Sequence, residues 1–166
     1  MPAGNTYEAI ATQTLGSAVS SVTFSSISGA YTDLVIVAQA SNDSSAVNLR
    51  LQFNGDTATN YSSTRIYADG STATSDRTTT AVSMPVGIIG ASSTDFGVFT
   101  LQIQNYSNAT TYKTVLSRAG YSTSGYVTAT VGLWQSTSAI TSVLLNASTT
   151  NFRAGSTFSL YGIAAA

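Results

Sequence analysis

The sequence predicts an all-β protein, a sandwich or a barrel, and three observations carry that reading. Segments rich in Val, Ile, Thr, Tyr and Phe recur along the 166 residues, each bounded by Gly, Asn, Asp or Ser clusters. Several of them alternate apolar and polar residues with period two, as a strand with one face on a core must. No segment carries an apolar stripe at i, i+3, i+4. Residues 9–21, the longest stretch in question, are crowded with Thr, Ser and Val, all poor helix formers.

Taken in order, strands are expected over residues 7–15, 20–24, 33–40, 47–53, 62–68, 84–89, 96–104, 111–119, 126–134, 140–146 and 156–163. In VNLRLQF, the residues Val47, Leu49, Leu51 and Phe53 share a face opposite Asn48, Arg50 and Gln52. The next clear alternation runs through Phe99, Leu101 and Ile103. A third, in YVTATVGLW, assigns Val127, Ala129, Val131 and Leu133 to the core. DLVIVAQA is almost continuously apolar, which predicts a strand covered on both faces, central or at a subunit contact. The polar stretches 41–46 and 68–81 read as loops, the second long enough to move or to pack on a partner. LQFNGDTATNY at 51–61 is echoed by LQIQNYSNATTY at 101–112, two similar solutions to a corner.

Composition excludes much chemistry. The chain has no Cys and no His, which removes disulfides, thiolate nucleophiles, Ser-His-Asp catalysis and the commonest transition-metal ligands. Charged residues make up 8%, against about 25% in an ordinary domain. The six basic side chains form no run, so no footprint for nucleic acid or an anionic membrane is present. No apolar stretch is long enough for a membrane-spanning helix, and residues 1–11 do not read as a signal peptide. Ser and Thr, 26 of each, supply a neutral, hydroxyl-rich surface; with net charge −1 there is little self-repulsion, which suits life inside an assembly.

Candidate sites are few. Asn54-Gly55-Asp56 follows an alternating strand directly, and Asn-Gly is the strongest short hairpin signal, so this is expected to be a turn rather than a calcium loop, for which only Asp56 is on offer. Asp69, Asp76 and Asp95 could in principle form a glycosidase pair, but each sits among Ser, Thr or Gly, where Asp caps turns. Glu8, the only Glu, is close to the chain start. No catalytic residue, metal site or cofactor is therefore expected. Tyr61, Tyr67, Tyr106, Tyr112, Tyr121 and Tyr126 fall at strand ends or corners, where they could contact a partner or a host glycan, although Tyr is also simply a good strand former. Trp134, closing an alternating strand, is expected in the core or an interface.

The C-terminal half carries a more specific pattern. LWQSTSAITSVLL (133–145) followed by NFRAGSTFSLYGIAA (151–165), with Gly155, Ser156, Leu160, Tyr161 and Gly162 in its last element, resembles the closing strands of the β-sandwich module of tailed-bacteriophage virion proteins. FNGDTATNYSSTRI (53–66), QIQNYSNATTYKTVLS (102–117) and YTDLVIVAQA resemble that family's corner, mid-chain segment and early strand, in order along most of the chain. The resemblance implies a jelly-roll-like antiparallel two-sheet sandwich, a structural or adhesive role without catalysis, and often a homotrimer. Residues 1–166 are then one domain, with 1–6 a flexible or partner-docking arm. Because the strand pattern begins by residue 7 and fills the chain, the expectation is a capsid decoration or cement protein. It would bind the major capsid protein or another virion protein on the outer capsid surface; the alternative is a glycan- or receptor-binding fibre tip.

Overall fold

The computed structural model describes residues 6–121 and 125–164. It contains twelve strands and, among the described residues, no helix: β1 (Tyr7–Thr14), β2 (Ser21–Phe24), β3 (Asp33–Ala40), β4 (Val47–Phe53), β5 (Tyr61–Ala68), β6 (Ala73–Ala81), β7 (Met84–Ile89), β8 (Gly97–Ile103), β9 (Lys113–Tyr121), β10 (Tyr126–Trp134), β11 (Val143–Ala147) and β12 (Thr157–Ile163). They form an eight-stranded sheet, β1-β12-β3-β8-β9-β10-β5-β6, and a four-stranded sheet, β2-β11-β4-β7. Every pairing is antiparallel. From β2 onward the chain passes back and forth between the sheets, a jelly-roll path in which the meander β8-β9-β10 takes the place of one strand. The fold is thus an antiparallel two-sheet β-sandwich of jelly-roll-like form. Of the expected N-terminal arm, residues 1–5 lie outside the described residues, and the carbonyl of Thr6 accepts the N–H of Ala164 at 3.1 Å.

One core fills the space between the sheets. Leu49, Leu51 and Phe53 of β4 meet Phe99, Leu101 and Ile103 of β8, with Leu34, Ile36, Val143, Leu145, Phe158 and Leu160 completing it. Burying a side chain of this kind stabilises the fold by about 1.5–3 kcal/mol. β3 lies inside the large sheet between β12 and β8, but it is not covered on both faces: Val37 and Gln39 are exposed on the outside.

Two further expectations are corrected. Residues 68–81 are not one loop: after a turn at 69–72 they form β6, the edge strand beside β5. ATSDRTTTA shows no apolar alternation because an outer edge strand has little to bury, and its β-branched threonines supply the strand tendency instead. In β10 the alternation is real but faces the other way. Thr128, Thr130, Gly132 and Trp134 point inward, while Val127, Ala129 and Val131 point to solvent. Volume decides this. β7 crosses closely over β9 and β10, with the Met84 thioether lying on Gly132, so only small residues fit beneath it. The same closeness explains Gly87, where a Cβ would come within 2.8 Å of that of Ala119.

All four sheet edges are interrupted. β1 is bulged between Ala9 and Ala11, and β6 bulges opposite Tyr61 and Ser63 with Thr80 at φ +52°. β7 carries Pro85 and a register shift opposite Leu49 and Arg50, and β2 is only four residues long. These are the devices by which β proteins block edge-to-edge pairing.

Candidate functional site

The Asn54-Gly55-Asp56 corner is a pinned turn. Asn54 (φ +52°) and Gly55 (φ +66°) take left-handed conformations in a tight turn, closed by the N–H of Asp56 donating to the Phe53 carbonyl at 2.8 Å; it is not a hairpin, because β4 lies in the small sheet and β5 in the large one. Asn54 then ties the turn to the loop before β11: its Nδ2 donates to the Ala139 carbonyl (2.8 Å), and its Oδ1 accepts the N–H groups of Thr141 (2.9 Å) and Ser142 (3.1 Å). The Asp56 carboxylate faces inward, accepting from Asn60 Nδ2 (2.9 Å), Trp134 Nε1 (2.7 Å) and the Ala58 N–H (2.9 Å). The Asn60 carboxamide, then the Trp134 indole and the Ala58 amide, hold its carboxyl below the usual carboxylate range against the opposing effect of burial. The corner at Asn105, echoing this one in sequence, also places its Asn at φ +52°.

Trp134 and Tyr61 belong to the core beneath that turn. Trp134 packs on Phe53 and stacks on Tyr61 at 6.4 Å between ring centres. The Tyr61 hydroxyl accepts the Phe53 N–H (3.0 Å), and burial pushes its pKa up to about 12. Tyr106 is equally buried, its hydroxyl donating to the Ser28 carbonyl. Neither can touch a partner. Tyr112 stands alone and exposed. The remaining three are brought together: Tyr121 stacks on Tyr126 (5.4 Å) and Tyr126 on Tyr67 (6.5 Å), a row across β9, β10 and β5 on the inner face, at one end of the sandwich.

The three aspartates have separate tasks. Asp69 caps the turn after β5, its pKa drawn down to about 2 by the Thr72 N–H and then by the hydroxyl and N–H of Ser71. Asp76 on β6 holds Arg65 of β5 through both carboxylate oxygens. Asp95 lies in the loop before β8 with its N–H on Ser92 Oγ. Glu8 sits within β1, opposite Gly162. Among the described residues no three His, Cys, Asp or Glu side chains form a metal-binding group.

The closing motif is architectural. Gly155 (φ +88°) turns the chain into β12, its N–H donating to the Leu15 carbonyl, and the buried Ser156 hydroxyl accepts the Ser41 N–H. Leu160 is core, while Tyr161 points to the outer face. At Gly162 the Tyr31 ring lies flat on the backbone, where any Cβ would collide with it.

The feature that residue patterning missed is the outer face of the large sheet. Because β10 presents its valines outward, Val127 and Val131 join Val98, Leu116, Val37 and Ile66, each between 41% and 63% exposed. Register aligns them in rows: Val37, Thr100, Arg118, Ala129 and Ile66 run across five adjacent strands, with Leu116 beside Val131 in the next row. Arg118 is the charge at the centre. Gly120 between Val98 and Val127 leaves gaps, and two hollows of about 360 and 410 Å³ open there, the first over Ile66, Ala68 and Ala129, the second over Phe96 and Val98. The signal in the sequence was the run of small inward residues, Thr128, Thr130 and Gly132, alternating with valine. A larger hollow on the small sheet, about 490 Å³, is lined mainly by hydroxyls and carboxamides such as Ser21, Gln52 and Asn146, with Leu144 and Ala147 among them.

No protein-family model, no curated protein and no solved structure matches the chain.

Proposed function

We propose that this protein is a non-enzymatic structural protein of a tailed-phage virion, a decoration protein that attaches to the outer surface of the head through the open face of its large sheet and strengthens the shell. The observation that carries the reading is the outward turn of the β10 valines, which leaves an apolar field exposed on the outer face of the large sheet. Five strands about 4.8 Å apart, with three outward positions each about 7 Å apart, span on the order of 500 Å². That is the scale at which an exposed patch marks an interaction site. With Gln39, Thr100, Gln102 and Arg118 standing among the valines, about half of that area is apolar, and covering it yields roughly 6 kcal/mol at about 25 cal/mol per Å², against an association cost of about 4–15 kcal/mol. One such contact is weak, and three on a common axis hold durably. The homotrimer implied by the sequence resemblance therefore belongs to the same proposal, with the major capsid protein as partner.

Attachment by face rather than by edge follows from the interrupted edge strands. Arg118 selects a partner that presents a carboxylate to the middle of the patch, and the two hollows receive its apolar anchors. The test is a low-resolution map of the intact particle together with heat and osmotic challenge of particles with and without the protein. Density on the head and earlier rupture of bare heads are expected. Val127→Asp and Val98→Asp should abolish attachment while the free protein stays folded. Equal robustness of bare heads, or attachment unaffected by both substitutions, overturns the proposal. The second reading, a glycan- or receptor-binding fibre tip, draws on the Tyr67, Tyr126 and Tyr121 row; density at a fibre end selects it.

A further inference from the structure

We infer that the outer face of the large sheet reads two carboxylates on an acidic protein surface, one at Arg118 and one at Arg77, and refuses a second copy of this chain. The inference rests on the reading of that face as the attachment surface and names what the partner presents to it.

An inventory of the ions carries the argument. Four of the six basic side chains are committed. Arg65 is held by Asp76, Arg50 Nη1 donates to Ser83 Oγ (3.2 Å), Arg153 Nε donates to the Asn42 carbonyl (2.7 Å), and the buried Lys113 donates to the carbonyls of Thr111 and Thr137. The other two, Arg77 and Arg118, have no partner among the described residues, and both are exposed on the outer face. The seven acidic side chains are all engaged elsewhere. Asp76 follows Arg65 to the opposite side of the sheet, Asp56 serves Trp134, Asp69 caps its turn, and Asp43 accepts from Asn151. Glu8 sits against Tyr31. The two acids nearest the face lie at opposite ends of it: Asp33 accepts the Asn105 N–H at 2.6 Å, and Asp95, beside the second hollow, is not free. In a chain with so few ions, the only two unpaired cations share one surface.

Their spacing is set by register. Arg118 stands in the row of Ala129 and Ile66, and Arg77 in the next row, with Thr64, Val131 and Leu116. Three strand spacings and one step along the strands put them roughly 16 Å apart, on either side of Val131 and Ile66. Arg77 opens on a notch of about 140 Å³ that it shares with Ser62 and Thr64, whose hydroxyls have no partner among the described residues. A guanidinium beside two free hydroxyls is a cradle for a carboxylate.

The same arrangement rejects self-association. Two copies meeting face to face about a twofold axis would bring Arg118 against Arg118 in a closing interface. They would cover about 1,000 Å² in total, under the roughly 1,200–2,000 Å² of a stable complex, with no second contact to make up the difference. A ring of copies would need a free side-chain carboxylate on another surface, and each one is already held. The trimer contact therefore lies elsewhere on the molecule.

Heteronuclear NMR of the full chain, titrated with poly-L-glutamate and with poly-L-lysine at about 20 mM and about 500 mM NaCl, tests the charge preference without any capsid. Poly-L-glutamate should shift amides of β5, β6, β9 and β10 around Arg77 and Arg118 at low salt and lose that effect at high salt, and poly-L-lysine should shift none of them. Arg77→Gln and Arg118→Gln should each weaken the response about two- to fivefold, the range of an exposed ion pair, and Arg118→Lys should weaken it less. Sedimentation velocity should give Val127→Asp the same oligomeric state as the native chain. Shifts centred on another surface, an equal response to poly-L-lysine, affinity unchanged in both glutamine variants, or a change of oligomeric state in Val127→Asp overturns the inference. Heads that bind Val127→Asp normally would refute attachment through this face and leave the titration result standing, so the two failures are distinguishable.

Discussion

Removing the Asp56 carboxylate should unfasten the corner between β4 and β5 with a cost that can be counted. In Asp56→Ala the Trp134 Nε1–H, on a side chain only 2% exposed, loses the acceptor 2.7 Å away. Leaving a buried donor unpaired costs about 1–3 kcal/mol. The bonds from Asn60 Nδ2 and the Ala58 N–H lie nearer solvent, and each adds about 0.5–1.5 kcal/mol. A total near 3 kcal/mol lowers the Tm of a chain this long by roughly 6–12 °C. Asp56→Asn should fall about halfway, because its single carbonyl oxygen can still serve Trp134 while its NH₂ confronts that of Asn60.

Acid supplies an independent check on the same carboxylate. The folded pKa lies below the unfolded value of 3.8, so the contribution is complete above that value and disappears as the pH drops through the folded pKa. The gap between the native protein and Asp56→Asn in thermal unfolding should be widest at pH 5 to 7 and narrow toward pH 2. A Tm for Asp56→Ala within about 2 °C of the native protein, or a gap that ignores pH, would refute this account of the corner.

Three further outcomes are expected. Among the described residues the buried Thr130 hydroxyl has no hydrogen-bond partner, so Thr130→Val, which keeps the shape, should stabilise the fold by about 1 kcal/mol in urea unfolding. Because the folded pKa of Tyr61 is raised to about 12 from about 10, its contribution is complete below pH 10 and is lost between 10 and 12; the size is on the order of 2–3 kcal/mol. Tyr61→Phe should flatten that part of the stability profile, as followed by circular dichroism. Gly162→Ala must displace the Tyr31 ring and should lower the Tm, whereas Gly16→Ala, with open space around it, should not.

Most of the strand plan was legible because buried strands announce themselves by alternation: Leu49, Leu51 and Phe53, or Phe99, Leu101 and Ile103, read correctly for that reason. β6 was not legible, since an exposed edge strand of Thr, Ser, Asp and Arg has the composition of a loop and is defined by its pairing to β5. In β10 hydropathy gave the period and the wrong face, because close packing under β7 selected for small volume over apolarity. Among the tyrosines, position at a strand end does not distinguish Tyr61 and Tyr106, which are fully buried, from Tyr112, which is exposed. What separates them is the parity of their strands and the turns above, and both depend on contacts distant in sequence. The turn at Asn54-Gly55 was readable because its signal is local and conformational.

With bulges in β1, β6 and β7, a proline in β7 and a short β2, no border of either sheet offers an unbroken ladder to another chain. Ribbon-like growth has nowhere to start, so a high local concentration carries little risk of fibril formation. Whatever assembly this molecule enters should have a fixed copy number and a definite end.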